Sequence, residues 1–321
     1  MTTVAETRPR LPELPLDGWE ETKNTLHLWI QIVGKVRLAS VPPRNHWWHA
    51  PLYVDVRGLT TRQMYTDTGV SFEIRFDFIH HRLVVETSRG AIEWFDLVDG
   101  LSVAEFDETL HAILGRLAID VTIRETPYGV PLTTPFPADR KHAAYDRGAV
   151  ERFWRILGWT EQIFGEFAGW YCGKTSPVHL FWHSLDLAVT RFSGKRAPAM
   201  PNASTVDREA YSHEVISFGF WAGDQNVREP SYYSYTAPEP DGLRQQPLRP
   251  EQAGWADQGS SALALLPYEA VRTAADPRAT LLAFLESAYE AGAGTAGWDR
   301  SSLESTWCPT PSELKAYLEQ A

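Results

Sequence analysis

The sequence predicts an α+β fold, a mainly antiparallel β-sheet with helices packed on it, and three observations carry that expectation. Several segments set apolar residues at helical spacing behind capping signals, and shorter ones alternate apolar with polar residues between turn formers. The order helix, three strands, helix also occurs twice along the 321 residues. The two cycles divide the chain into pseudo-repeats at 17–124 and 149–321, packed as one globular unit and joined by a Pro-rich linker at 125–148. One ungapped correspondence supports an internal duplication: Trp48-His49 precedes Arg57 by the spacing at which Trp182-His183 precedes Arg191. A ligand site would then fall at the junction of the two units.

Taken in order, residues 1–16 read as a disordered or surface-draped lead. Asp17 and Glu20 form a capping box for a helix carrying Trp19, Thr22, Leu26, Trp29, Ile30, Val33 and Val36, which Pro42 and Pro43 stop. Trp47 to Arg57 reads as a half-buried strand with Leu52, Val54 and Val56 on one face and His49, Tyr53, Asp55 and Arg57 on the other. Two more strands, 71–79 and 83–87, meet in a turn at His80-His81. A capping box at Ser102 and Glu105 opens an amphipathic helix, and 119–124 reads as a strand. Beyond the linker the pattern predicts a long helix from Val150 to Phe167. Strands follow at Ser176–Arg191, 213–221, 231–236 and 263–268, with a polar loop at 241–260. Asp276 caps a helix with Pro277 at its first position, and Thr310-Pro311 repeats that signal for a short terminal helix.

Composition narrows the function. The formal charge of -11, without a dense Lys/Arg run, argues against nonspecific nucleic-acid binding. No stretch approaches the roughly 20 apolar residues of a membrane helix, and the polar N-terminus lacks a signal-peptide core, so a cytoplasmic protein is expected. Cys172 and Cys308 allow one disulfide at most. Thirteen Trp are unusually many, and these rings are expected to dominate the core or line a cavity.

The densest polar block runs from Ser176 to Asp186 and includes His179 and His183. On one strand those two imidazoles lie about 13 Å apart, too far to share an ion. His179 could join His213 and Glu214 of a neighbouring strand instead, a ligand set suited to Zn or non-haem Fe. The plainer reading is that these imidazoles are buried and hydrogen-bonded, and both readings stand. His49 shares its predicted face with Asp55 and Arg57, and Asp186 with Glu214 makes a candidate carboxylate pair. No phosphate loop, nucleophile elbow, dinucleotide fingerprint or zinc-protease motif is complete.

At Asn45-His-Trp-Trp-His49, Ser176-Pro-Val-His-Leu-Phe-Trp-His-Ser-Leu-Asp-Leu-Ala188 and Tyr211-Ser-His-Glu-Val-Ile216 the chain resembles an uncharacterised bacterial family, a domain of unknown function, from about Trp19 to Trp298. The resemblance implies no activity, cofactor or substrate; it marks these blocks as the places to look. The residues themselves point to an enzyme with a Trp/Tyr-lined pocket for a small molecule. Its catalytic groups would be His183, His213, Glu214 and Asp186, and a divalent metal would sit on His179, His213 and Glu214. His49, Trp48, Trp182, Arg57, Arg191 and Tyr233 would hold the ligand. The alternative is a noncatalytic protein that binds a flat aromatic or haem-like ligand.

Overall fold

The computed structural model describes residues 11–258, 261–306 and 311–319. The chain is α+β, with two six-stranded, wholly antiparallel sheets. The lead to Arg10, Cys308 and the predicted cap at Thr310 lie outside the described residues.

Residues 11–16 are packed rather than draped: Leu11, Leu14 and Leu16 are buried, and the Tyr268 hydroxyl donates to Pro12 O at 2.8 Å. The first helix, α1, spans Glu20–Ser40. A 3-10 turn at Leu16–Gly18 delays its start, so Asp17 precedes the cap and Trp19 occupies it. Asp17 and Glu20 accept instead from the Arg228 guanidinium. From Thr22 to Arg37 α1 is buried on nearly every side.

The first sheet consists of β1 (Tyr53–Val54), β2 (Gly58–Thr60), β3 (Met64–Tyr65), β4 (Ser71–Asp77), β5 (Arg82–Thr87) and β6 (Ile92–Asp96). Its order is β1-β2-β4-β5-β6, with β3 also on β4. The strand predicted from Trp47 to Arg57 is mostly turn. A 3-10 helix covers Asn45–Trp47, and Asp55 Oδ1 accepts from the backbone N–H of Arg57 and Gly58 at 2.8 Å each. This Asx turn overrides the alternation and leaves Val56 86% exposed. β4 and β5 form as predicted around the His80-His81 turn, and β6 is an additional strand. Helix α2 (Val103–Arg116) carries the predicted Ser102–Glu105 capping box. Its Phe106 stacks between Trp29 of α1 and Phe76 of β4, at 5.1 and 6.1 Å between centroids. Residues 119–124 form no strand; the chain runs irregularly from there past the Pro-rich segment, broken by a 3-10 turn at Phe136–Ala138.

Helix α3 (Arg147–Gly169) follows, capped by Asp146. The second sheet comprises β7 (His179–Phe181), β8 (Asp186–Arg196), β9 (His213–Trp221), β10 (Ser231–Ala237), β11 (Gly254–Gln258) and β12 (Ser261–Pro267), in the order β11-β12-β10-β9-β8-β7. A short helix, α4 (Thr205–Ala210), links β8 to β9. The predicted strand Ser176–Arg191 is a hairpin. Leu185 adopts φ 56° and turns the chain, so Phe181 pairs with Asp186 and His179 with Ala188. Within the expected polar loop 241–260, residues Gly254–Gln258 form strand β11. After α5 (Tyr268–Arg272), α6 (Pro277–Thr295) starts on the predicted Asp276 cap, and α7 (Arg300–Leu303) and α8 (Pro311–Leu318) follow.

Helices α3 and α6 cover one face of the second sheet. Phe167 meets Phe218 at 4.8 Å, and α6 lies so close that a Cβ on Gly292 would stand 2.3 Å from Thr236 Oγ1. The two sheets touch at one antiparallel bridge, where Leu52 and Leu180 exchange backbone hydrogen bonds of 2.9 and 2.8 Å. All strands of the first sheet come from residues 53–96 and all of the second from 179–267. The Trp-His…Arg correspondence does not mark equivalent places: Arg57 sits in the β1–β2 turn, whereas Arg191 is buried within β8. Among the described residues, no helix is long and apolar enough to cross a membrane.

Gly34 allows the Trp182 indole to lie against α1, because a Cβ there would stand 2.3 Å from the ring. Gly34→Ala is therefore expected to destabilise the protein by roughly 1–3 kcal/mol, despite the gain in helix propensity. Gly158→Ala in α3, where a Cβ meets nothing within 4 Å, is expected to stabilise it by roughly 0.5–1 kcal/mol. Midpoints of chemical denaturation check both signs.

Candidate functional site

The uncovered face of the second sheet is the floor of a cleft of about 1680 Å³. Side chains alternate along a strand, so the floor collects Asp186, Ala188, Thr190 and Phe192 of β8, Val215, Ser217 and Trp221 of β9, and Tyr233 and Tyr235 of β10. This floor is polar at its centre. The Asp186 carboxylate accepts from Ser184 Oγ on one oxygen and from the Tyr233 hydroxyl on the other. Thr190 and Ser217 hydroxyls lie 2.9 Å apart, and the Tyr235 hydroxyl lies 3.1 Å from that of Tyr211. The Tyr233 and Tyr235 rings run parallel at 6.2 Å. Gly219 makes this possible. It stands between Tyr233 and Ala188 in the register, and a Cβ there would come within 2.3 Å of the Tyr233 ring, which crosses it towards Asp186.

Burial and then the Asp186 charge hold the Tyr233 phenol well above its usual pKa, and burial does the same for Tyr235 and Tyr211. All three stay protonated at neutral pH and act as hydrogen-bonding groups rather than bases. His183 stands in the β7–β8 turn at the cleft wall. Burial lowers its pKa, against the pull of Asp186, so it is a neutral imidazole beside a carboxylate.

The roof comes from α1. Lys23, His27, Gln31 and Lys35 recur every four residues and so share one helix face. Each fastens a loop that frames the cleft. Lys23 Nζ donates to Gly223 O at 2.6 Å and His27 Nε2 to Trp182 O at 3.0 Å. Gln31 exchanges two bonds with the Tyr128 backbone, 2.9 and 2.8 Å, and Lys35 Nζ donates to Thr126 O at 2.8 Å. Burial takes the His27 pKa down to about 4, so it docks as a neutral ring. The signal for this stripe was in the sequence, as a four-residue polar period inside an apolar helix. Reading α1 by its apolar positions alone places His27 on the surface, and passes over Lys35 as a C-terminal cation.

Of the residues singled out from the sequence, the cleft brings together Trp48, Trp182, His183, Asp186 and Tyr233. The others lie elsewhere. Arg57 pairs with Asp77 at 2.5 Å on the first sheet. Arg191 points to the helix-covered face, 3.5 Å from the Phe167 ring, and donates to Phe167 O at the end of α3. His49 Nδ1 accepts from the Arg44 N–H at 3.1 Å, away from Asp55 and Arg57, because the 3-10 turn replaces the strand that would have aligned them. The proposed metal ligands do not converge. His213 pairs with Arg196, eight residues along β8 from the partner of His179, on the order of 25 Å away. Glu214, next to His213 on β9, faces the opposite side of the sheet from the cleft-lining Val215. Among the described residues, no group of three His, Cys, Asp or Glu side chains is placed to hold a metal ion.

His213 instead lies beside His46, with ring centroids 5.5 Å apart. His46 and Trp47 both have φ near +60°, a conformation rare for side chains of their size. His179 is 1% exposed among Tyr53 and Phe181, with no hydrogen bond to Nδ1. Burial, then Arg37 and Arg62, lower its pKa to about 3. The unfolded chain takes up this proton near pH 6.5 and the folded one only near pH 3. The stability this contributes is therefore complete above pH 6.5 and lost as pH falls towards 3. His179→Phe is expected to flatten the acid limb of a stability–pH curve by on the order of a few kcal/mol. An unchanged slope would show that His179 is not the group that titrates.

No curated protein and no solved structure matches the chain. A family model does match residues 11–305, and by that match the chain belongs to the family of unknown function DUF5996.

Proposed function

We propose that the protein binds a small organic molecule in the cleft between α1 and the second sheet. The observation that carries this reading is the polar row on the floor. Central positions of a buried sheet face are apolar when packing is their only role, because an unshared polar group there costs roughly 1–3 kcal/mol. Here Asp186, Tyr233, Tyr235, Ser217 and Thr190 cross three adjacent strands and face open space. Their hydroxyls retain lone pairs for a ligand, and Trp182, Tyr128 and Phe181 supply flat apolar walls. That pairing of hydroxyl floor and aromatic wall suits a ligand with hydroxyl or carbonyl groups along one edge. The cleft exceeds the several hundred to about 1000 Å³ of ordinary small-molecule pockets, so such a ligand would fill only part of it.

A second reading, that the bound molecule is also transformed, is favoured by His183. A neutral imidazole held next to Asp186 is equipped to take a proton from a ligand hydroxyl and to be stabilised once charged. Asp186 itself is engaged by two hydroxyls and serves to position Tyr233.

Titration of tryptophan emission with a library of hydroxylated and carbonyl-bearing aromatic compounds tests binding, since Trp47, Trp48, Trp182 and Trp221 line the cleft. Compounds that quench are expected to bind Tyr233→Phe and Asp186→Asn about tenfold or more weakly, a loss of roughly 1.4 kcal/mol or greater. Gly219→Ala should match them by displacing the Tyr233 ring. Affinity unchanged in all three folded variants would refute the floor as the binding surface. If turnover of a bound compound is found, His183→Gln is expected to lower kcat at least a hundredfold with KM little altered.

A further inference from the structure

Lys35 is the one member of the α1 stripe whose charge has no counterpart. It is 6% exposed and lines the cleft. Its amine donates to Thr126 O at 2.8 Å and stands 5.6 Å from the ring centroids of both Phe136 and Trp182. It makes no ion pair with any described carboxylate, and the charged group that acts on it most is the cation Arg124. Lys23, at the other end of the stripe, differs in having Asp224 and Glu20 near enough to favour its charge. Burial with no carboxylate partner and a second cation nearby weakens the ammonium relative to the free amine.

We infer that Lys35 is the reactive amine of the cleft and takes a carbonyl compound, an aldehyde or ketone, as an imine. This rests on the cleft being a small-molecule site. The Nζ lone pair adds to the carbonyl carbon, one amine proton passes to the carbonyl oxygen, and the carbinolamine takes a second proton from solvent and loses that oxygen as water, leaving the protonated imine. The bond formed is C=N, and nothing is oxidised or reduced. The protonated imine keeps one N–H, for which Thr126 O remains the acceptor, and the Phe136 and Trp182 rings favour its positive charge. Burial, reinforced by Arg124, takes the amine's pKa down to about 8. About a quarter of the Lys35 amine is then unprotonated at pH 7.5, against roughly one part in a thousand for an ordinary exposed lysine.

The chain has only six lysines, Lys23, Lys35, Lys141, Lys174, Lys195 and Lys315, so the test can be resolved by site. The full chain is treated with substoichiometric pyridoxal and cyanoborohydride over pH 6.5–10, digested, and each lysine's adduct quantified by mass spectrometry. Lys35 is expected to react at least tenfold faster than every other lysine at pH 7.5, with a half-maximal rate near pH 8. Lys35→Met should abolish that fast phase alone. A Lys35 rate equal to or below the others, or preferential labelling of Lys23, overturns the inference. Because the rates are read in the unmodified protein, a variant that does not fold leaves the result intact. Tryptophan quenching that persists where Lys35 fails to react would overturn the imine and spare the cleft; loss of both would remove the cleft as well.

Discussion

A helix buried on nearly every side while carrying a stripe of four long polar side chains is the constraint on which the rest of the molecule depends. Burying such groups unpartnered would cost several kcal/mol in sum, so each must find a partner from another part of the chain. Lys23, His27, Gln31 and Lys35 find them in the backbone of the 222–227 loop, the β7–β8 turn and the irregular arm after residue 119. Those three segments have little regular structure of their own. They are held because their carbonyls complete α1, and α1 tolerates its polar stripe because they are there. The cleft is the space these mutual obligations leave above the second sheet.

The two faces of the second sheet show how one strand pattern serves two ends. On one side Phe218, Phe220 and Ile216 pack under α3 and α6 and exclude water. On the other, alternate residues present hydroxyls and one carboxylate. Gly219 joins the two roles: it is a strand glycine, normally a weakness, and here its missing side chain lets Tyr233 reach across to Asp186. Local strand stability is given up for an ordered polar floor.

Where reading the sequence succeeded and where it failed have physical causes. The Ser102–Glu105 box and the Asp276-Pro277 start hold because the cap bonds are local and need nothing from the fold. Strands β4, β9 and β10 emerge because their alternation is long enough to resist interruption. The stretches 47–57 and 176–191 fail for one shared reason: a single turn residue inverts the pattern. Asp55 captures two backbone N–H groups, and Leu185 adopts a left-handed conformation, so each predicted strand divides. Every facing argument built on an unbroken strand moves with it. The 3-10 turn at Asn45–Trp47 takes His49 from Asp55 and Arg57, while the Leu185 turn brings His183 to the cleft wall near Asp186.

The α+β class, the sites of the capped helices, most of the long strands and the family are legible in the order of residues, because these depend on periodicity and near neighbours. The sequence also singled out Trp182, His183, Asp186 and Tyr233, which the fold brings to one cleft. Which polar residues meet is set by long-range packing. Register set His213 far from His179, packing sent Arg191 into the helix-covered core, and the docking of remote loops turned Lys35 from a helix-end cation into a buried amine facing the cleft. Such outcomes depend on contacts between residues 24 to 91 positions apart, where no local pattern carries information.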